Sequence, residues 1–209
     1  MLLVHREVQT TGDMEKIMPL LQDFASIAKS SGMTLHTWAG YNGCVAGTVQ
    51  FNVNYENLAE GAEMNAKLQS QKAWWETLRK FREHVISTQA DTVYTYMRGG
   101  TANVDIPIGT FIQQNYFQYN GSDFVSALTW MNELVELAKS ITGVDANIGT
   151  STYGTLGHMV YFAGYASMAQ IDEAREKLMA NPEWFPKFLE GQKYSIPGTV
   201  VQRHIVKIA

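Results

Sequence analysis

The chain has 209 residues, 45% of them hydrophobic and 17% charged, with 16 Lys and Arg against 20 Asp and Glu and a formal net charge of -4. That length can bury a substantial core in one domain or two small ones, and the charge balance lacks the basic patch that a nucleic-acid partner requires. No apolar run nears the roughly 20 residues that span a bilayer, the N-terminal residues hold no signal-peptide core, and the lone Cys44 excludes an internal disulfide and any cysteine-cluster metal site, so a cytoplasmic protein with no membrane partner is expected.

Leu2 to Val8 reads as a strand. Gly12 and Asp13 turn the chain into a helix whose apolar residues Ile17, Leu20, Leu21, Phe24, Ile27 and Ala28 keep the three-and-four spacing of one buried face, and Ser30 to Gly32 end it. Met33 to Ala39 is a second strand, Asn42-Gly43 a hairpin signal, and Val45 to Val53 a third strand. A long helix broken near Ser70 follows over Leu58 to Val85, and Thr92 to Met97 is a fourth strand. Gly99 to Pro107 has no periodicity and reads as a crossover.

The order then restarts. Gly109 to Tyr119 is a strand, Phe124 to Ile141 a helix closed by Gly143, Ala146 to Thr150 a strand, Tyr153-Gly154 a turn and Leu156 to Gly164 a strand. A second helix, Met168 to Gly191, breaks near Asn181, and Thr199 to Ile208 is the last strand. Matches about 110 residues apart fall in equivalent elements: Asp13 with Asp123, Ala28-Lys29-Ser30 with Ala138-Lys139-Ser140, and Asn57 with Ser167. One residue further on, Gly43 meets Gly154, Val49 meets Val160, Phe51 meets Phe162, Trp74 meets Phe185 and Leu78 meets Leu189.

The expected organisation is therefore an α+β protein of two tandem ferredoxin-like βαββαβ units, 1–98 and 109–209, joined by a linker at 99–108. Right-handed crossovers put both helices of such a unit on one face of its sheet. The strands are apolar on both faces, so the bare faces should shield each other in an intramolecular α+β barrel, which also removes exposed sheet edges.

The βαββαβ order, the broken second helix, and Ala180-Asn181-Pro182-Glu183-Trp184 followed by Phe188-Leu189 resemble the dimeric α+β barrel superfamily, which includes antibiotic-biosynthesis-monooxygenase-like and NIPSNAP-like proteins. Asn181 stands where relatives often have Asp, and the first copy, Ser70-Gln71-Lys72-Ala73-Trp74-Trp75, has no proline. The resemblance implies that any small molecule is held between sheet and helices, and that Trp184 docks the short helix onto the sheet. Its enzymes range from cofactor-free oxygenation to isomerisation and haem chemistry, so membership implies fold more than activity.

Candidate site residues are polar groups on otherwise apolar strands. His5, His36 and His158 are the candidate catalytic side chains, since imidazole changes charge near neutral pH. Each also has a plain structural reading, as a strand histidine, a hairpin-end residue or a buried group satisfied by partners. Trp38 and Tyr41 beside His36, and Asn115, Tyr116 and Tyr161 in the second half, are candidate substrate-binding residues. A pocket built around the His36 strand would belong to the first half. His204 reads as a solvent- or interface-facing residue and His84 as helix-end decoration. Cys44 lacks nearby cations and reads as a structural thiol. No metal-ligand spacing and no phosphate-binding loop occurs, so no metal and no cofactor is expected.

The leading functional expectation is a small-molecule-binding protein, as a cofactor-independent monooxygenase or isomerase acting on an aromatic or polyketide-like compound. The alternatives are a non-catalytic ligand- or protein-binding barrel and a haem-binding member of the superfamily. A small-molecule ligand is the candidate partner, with the chain a monomer or a homodimer.

Overall fold

Each half starts its second helical region with a reciprocal cap. Asn57 Oδ1 accepts from the Glu60 amide at 3.0 Å while Glu60 Oε2 accepts from the Glu56 amide at 2.6 Å. In the second half Ser167 Oγ accepts from the Gln170 amide at 3.2 Å and Gln170 Oε1 from the Ala166 amide at 2.7 Å. Both satisfy amides that a helix start leaves free.

In this computed structural model, which describes residues 1–101 and 104–209, the elements follow in an order that repeats. The first half runs β1 (Leu2–Thr10), α1 (Met14–Ser30), β2 (Leu35–Gly40), β3 (Thr48–Tyr55), α2 (Leu58–Gln69), α3 (Lys72–Arg82), β4 (Val85–Thr88) and β5 (Thr92–Arg98). The second runs β6 (Phe111–Gln118), α4 (Phe124–Thr142), β7 (Ala146–Tyr153), β8 (His158–Tyr165), α5 (Met168–Ala180), α6 (Trp184–Leu189), a 3-10 turn at Glu190–Lys193, and β9 (Val201–Lys207). Ala102 and Asn103, within the expected 99–108 linker, lie outside the described residues.

Strand order is β3-β2-β9-β6-β8-β7-β5-β1, and β1 pairs with β3 to close an eight-stranded antiparallel barrel. Two seams join the halves: β2 with β9, where Trp38 faces Lys207, and β5 with β7, where Tyr96 faces Gly149. Closure pairs each of the eight barrel strands on both sides. The strand absent from the sequence reading is β4, which lies between the expected end of the broken helix at Val85 and the strand at Thr92; it pairs with Val8 to Thr10 of β1.

Strand alternation gives every second residue to the helices and the rest to the barrel interior. Val8, Val49, Val53 and Tyr55 pack on α1 with Ile17, Leu21 and Phe24. Phe117, Ile148, Met159, Ala163 and Tyr165 pack on α4 with Ala127, Met131 and Val135. Leu3, Tyr94 and Val160 face inward, with Tyr116 and Phe162 against them. This corrects part of the sequence match. Val49 and Phe51 face α1 while Val160 and Phe162 face the barrel interior, so those pairs sit on opposite faces, and the true counterparts are Met159 and Tyr161.

Candidate functional site

The helix-facing side of the second half holds a cavity of about 820 Å³ between the sheet and α4, α5 and α6. In the first half rings pack into the corresponding space. Phe24 meets Trp74 at 4.8 Å, Phe81 at 5.5 Å and Phe51 at 6.0 Å between ring centroids, and Phe51 meets Phe81 at 5.7 Å. Where the first half has Phe24 and Phe51, the second has Leu134 and Tyr161, and both line the cavity. One ring lost and one ring made polar leave room for a ligand. The cavity lies in the second half and is not built around the His36 strand.

The cavity walls are apolar: Met131, Leu134 and Val135 from α4, Ile171, Leu178 and Met179 from α5, and Trp184 and Phe188 from α6. Its polar groups come from adjacent strands. On β9 and β6, His204 faces Gln113 and Gln202 faces Asn115; Asn115 in turn faces Tyr161 on β8. These side chains line one patch of sheet. Asn115 Nδ2 is buried without a hydrogen-bond partner among the described residues, and so are both ring nitrogens of His204.

Burial holds the His204 imidazole below its ordinary value, with the Asp172 carboxylate on α5 pulling the other way. The Tyr161 phenol is raised, first by burial and then by the neighbouring Tyr165, to which it is hydrogen-bonded. A neutral imidazole with no partner in an apolar cavity can take a proton from a bound ligand, and a protonated tyrosine can donate a hydrogen bond to it. Asp172 and Arg175 at the α5 rim are the charged carboxylate and guanidinium that border the cavity.

The first half completes this wall. The β2–β3 hairpin reaches over β9: Tyr41 N donates to His204 O at 2.9 Å and His204 N donates to Asn42 O at 2.8 Å. Asn42 and Gly43 border the cavity. Gly43 has φ +72°, and a Cβ there would lie 2.5 Å from Gln202 O, so the close approach requires glycine.

The residues singled out in the sequence divide between two places. Asn115 and Tyr161 line the cavity, and Tyr116 borders it although its ring packs edge-on to Phe162 at 6.4 Å in the barrel interior. His5, His36 and Trp38 do not border the cavity. With the Asn52 amide oriented to satisfy its neighbours, its nitrogen donates to His5 Nδ1 at 2.8 Å and its oxygen accepts from Trp38 Nε1 at 3.3 Å. His36 lies 6.2 Å from Trp38 between ring centroids, and burial followed by the Lys207 charge pushes it down to about 4. His158 is the first residue of β8, which lies between β6 and β7, and its amide donates to Ser151 Oγ at 2.9 Å. Tyr41 is exposed, edge-on to Phe111 at 5.5 Å. His5 and His36 face the barrel interior on the strands either side of Asn52, and His158 lies at the start of β8.

The side chain missed as a site residue is His204, read as facing solvent or an interface. Its alternation with Gln202 was visible, but only the fold shows that this face of β9 turns toward α5. Among the described residues no group of three or more His, Cys, Asp or Glu could hold a metal ion, and no helix is long and apolar enough to cross a membrane.

These features define a single-chain antiparallel α+β barrel with a cavity between the sheet and helices of its second half. Residues 125–203, under half of the chain but most of the cavity-bearing unit, match the NIPSNAP family model. Over the whole chain the fold is similar to that of a candidate monooxygenase from Fusobacterium nucleatum, with TM-score 0.73, 10% identity and 92% of that chain covered. An anthrone oxidase-like protein matches with TM-score 0.68, 10% identity and 91% of its chain. A candidate chlorite dismutase matches 99% of this chain and 95% of its own at TM-score 0.57 and 12% identity. At such identities the likeness establishes the fold. No curated protein sequence matches the chain. Fold and cavity together give an α+β barrel with room for a small molecule between sheet and helices.

Proposed function

We propose that the protein is a cofactor-independent monooxygenase acting on an electron-rich, polycyclic aromatic compound, with His204 as the base. The carrying observation is that His204 lines a largely apolar cavity of about 820 Å³ and that both its ring nitrogens are buried without a partner among the described residues. Burial keeps the imidazole neutral, the form that accepts a proton. A ligand with an activated CH₂ flanked by aromatic rings would give His204 a proton. Asn115 Nδ2 and the Tyr161 phenol would then hydrogen-bond the enolate oxygen, as groups fixed in place before charge develops. The resulting carbanion reduces dioxygen itself. One oxygen atom ends as the ring ketone and the other as water, and the four electrons come from the CH₂ carbon. The likeness to an anthrone oxidase-like protein supports this substrate class.

Haem is the competing occupant, and the site fits it less well. A histidine that ligates a metal almost always donates its second ring N–H to an acceptor, and His204 has none among the described residues.

The test is oxygen uptake with anthrone, with the product followed by absorbance, in wild-type and His204→Gln protein treated with chelator. Stoichiometric uptake that survives chelation and is lost in the variant is expected. A Soret band in the purified protein, or no uptake with any electron-rich tricyclic aromatic, overturns the proposal.

A further inference from the structure

We infer that the ligand carries a carboxylate, held by Arg175 at the α5 rim of the cavity. This deepens the oxygenase reading by adding an acid group to its aromatic substrate. Arg175 is the sole Lys or Arg among the cavity-lining residues. It forms no ion pair among the described residues, whereas other cations close by are taken: Lys177 by Glu173 at 2.7 Å on the same helix, and Lys187 by Glu133 at 2.6 Å and Glu190 at 3.0 Å on α6. Asp172, one turn earlier, shares the rim without pairing to Arg175, and its charge bears on His204. The guanidinium is therefore a free planar donor where the apolar cavity borders a smaller recess lined by Asp172, Arg175, Glu176 and Met179.

The placement sets the ligand's orientation. The polar strand patch of Gln113, Asn115, Gln202 and His204 takes the reacting end, the α4 and α6 side chains hold the rings, and Arg175 takes the acid at the mouth. Arginine matches a carboxylate through two parallel N–H donors, which fixes direction as well as charge. Asp172 beside it repels a second acid group, so one carboxylate, and not a dianion, is the fitting class.

The experiment uses the quenching of Trp130 and Trp184, both in the cavity wall, by anthracene-2-carboxylate and by its neutral carboxamide. Wild-type protein should bind the acid about tenfold more tightly than the amide, a difference that shrinks with added salt. Arg175→Gln should remove that preference and leave amide binding unchanged, and Arg175→Lys should restore part of it. Both replacements are good helix formers on an exposed helix face, so folding is not at stake. Equal affinities in the wild-type protein, or an equal loss for both ligands in Arg175→Gln, overturn the inference. Binding of neither ligand overturns it together with the proposed function. Arg175-dependent binding without oxygen uptake from anthrone sustains the carboxylate site and removes only the oxygenase.

Discussion

Arg203 Nη1 donates to Glu7 Oε2 at 2.7 Å inside the barrel, tying the first strand of the chain to the last. The pair is shielded, with side-chain exposures of 28% and 14%. Gln50 Nε2 also donates to Glu7 at 3.2 Å and exchanges amide hydrogen bonds with Gln114 at 3.0 and 3.2 Å, so one polar chain crosses from half to half. Truncating one member of a shielded pair leaves the other charge without compensation. Glu7→Ala should cost about 3 kcal/mol, read as a lower urea midpoint, and Glu7 with Arg203 should be strongly coupled in a double-mutant cycle. Additive single effects would show the pair to be incidental.

His204 sits next in sequence on the opposite face of β9, so the same strand carries the interior tie and the proposed base. Its ordinary value of 6.5 is lowered by burial. The working form is neutral, so turnover should be flat above 6.5 and fall as pH drops through the lowered value. His204→Gln should reduce kcat by about a hundredfold with KM little changed. An acid limb that persists in the variant would assign the titration to another group.

Filling the cavity tests its place directly. Leu134→Phe restores the ring that the first half has at Phe24 and should abolish ligand binding, because the added ring occupies ligand space. The variant should be as stable as wild type or more so, since it buries apolar area without displacing a packed side chain. A ligand that binds Leu134→Phe with unchanged affinity lies elsewhere.

Element order was legible because caps, turns and helix periodicity are local. Asn57 and Ser167, Asn42-Gly43 and Gly143 each behave as the sequence implies, and Gly143 caps α4 at φ 77°. What was not legible is which face of a strand looks where. Closure buries both faces, so β1 and β8 carry apolar residues at consecutive positions and the alternation that would orient them is weak. His5 and His36 could therefore be recognised as costly polar residues without showing that Asn52 satisfies the first. His204 could not be placed, because its cavity exists only through the long-range pairing of β9 with β6. The strand β4 was hidden for the opposite reason: Val85 to Thr88 is short, and three of its four residues are exposed.

His36 supplies a pH-dependent term in stability. In the folded chain it is pushed down to about 4, and in the unfolded chain it takes up a proton near 6.5. Unfolding therefore binds a proton between those values, and stability present above 6.5 is lost as pH falls toward 4. The full shift corresponds to on the order of 3 kcal/mol. His36→Leu should lose less stability between pH 7 and pH 4.5 than wild type, measured as the change in urea midpoint. His5, also lowered by burial, retains part of the dependence in both proteins. Parallel pH profiles for the two proteins would exclude His36 as a source.

Two tryptophans separate packing from binding in the second half. Trp184 was expected to dock the short helix on the sheet, yet α6 buries none of its residues, and Trp184 stacks on Phe188 at 6.1 Å as part of the cavity wall. The docking ring is Trp130 of α4. It is 8% exposed, its Nε1 donates to Lys187 O at 2.8 Å, and its centroid lies 6.0 Å from those of Phe117 and Tyr194. Gly191 lets it sit there, since a Cβ at that position would lie 2.2 Å from Trp130 Cζ2. Trp130→Ala should therefore cost about 3 to 5 kcal/mol, and Trp184→Ala about 1 kcal/mol, because a half-buried ring loses less area and leaves no closed void. The expected reversal is in binding: Trp184→Ala weakens the aromatic ligand while the urea midpoint barely moves. Equal destabilisation by the two truncations would mean that the short helix is held to the sheet through Trp184 after all.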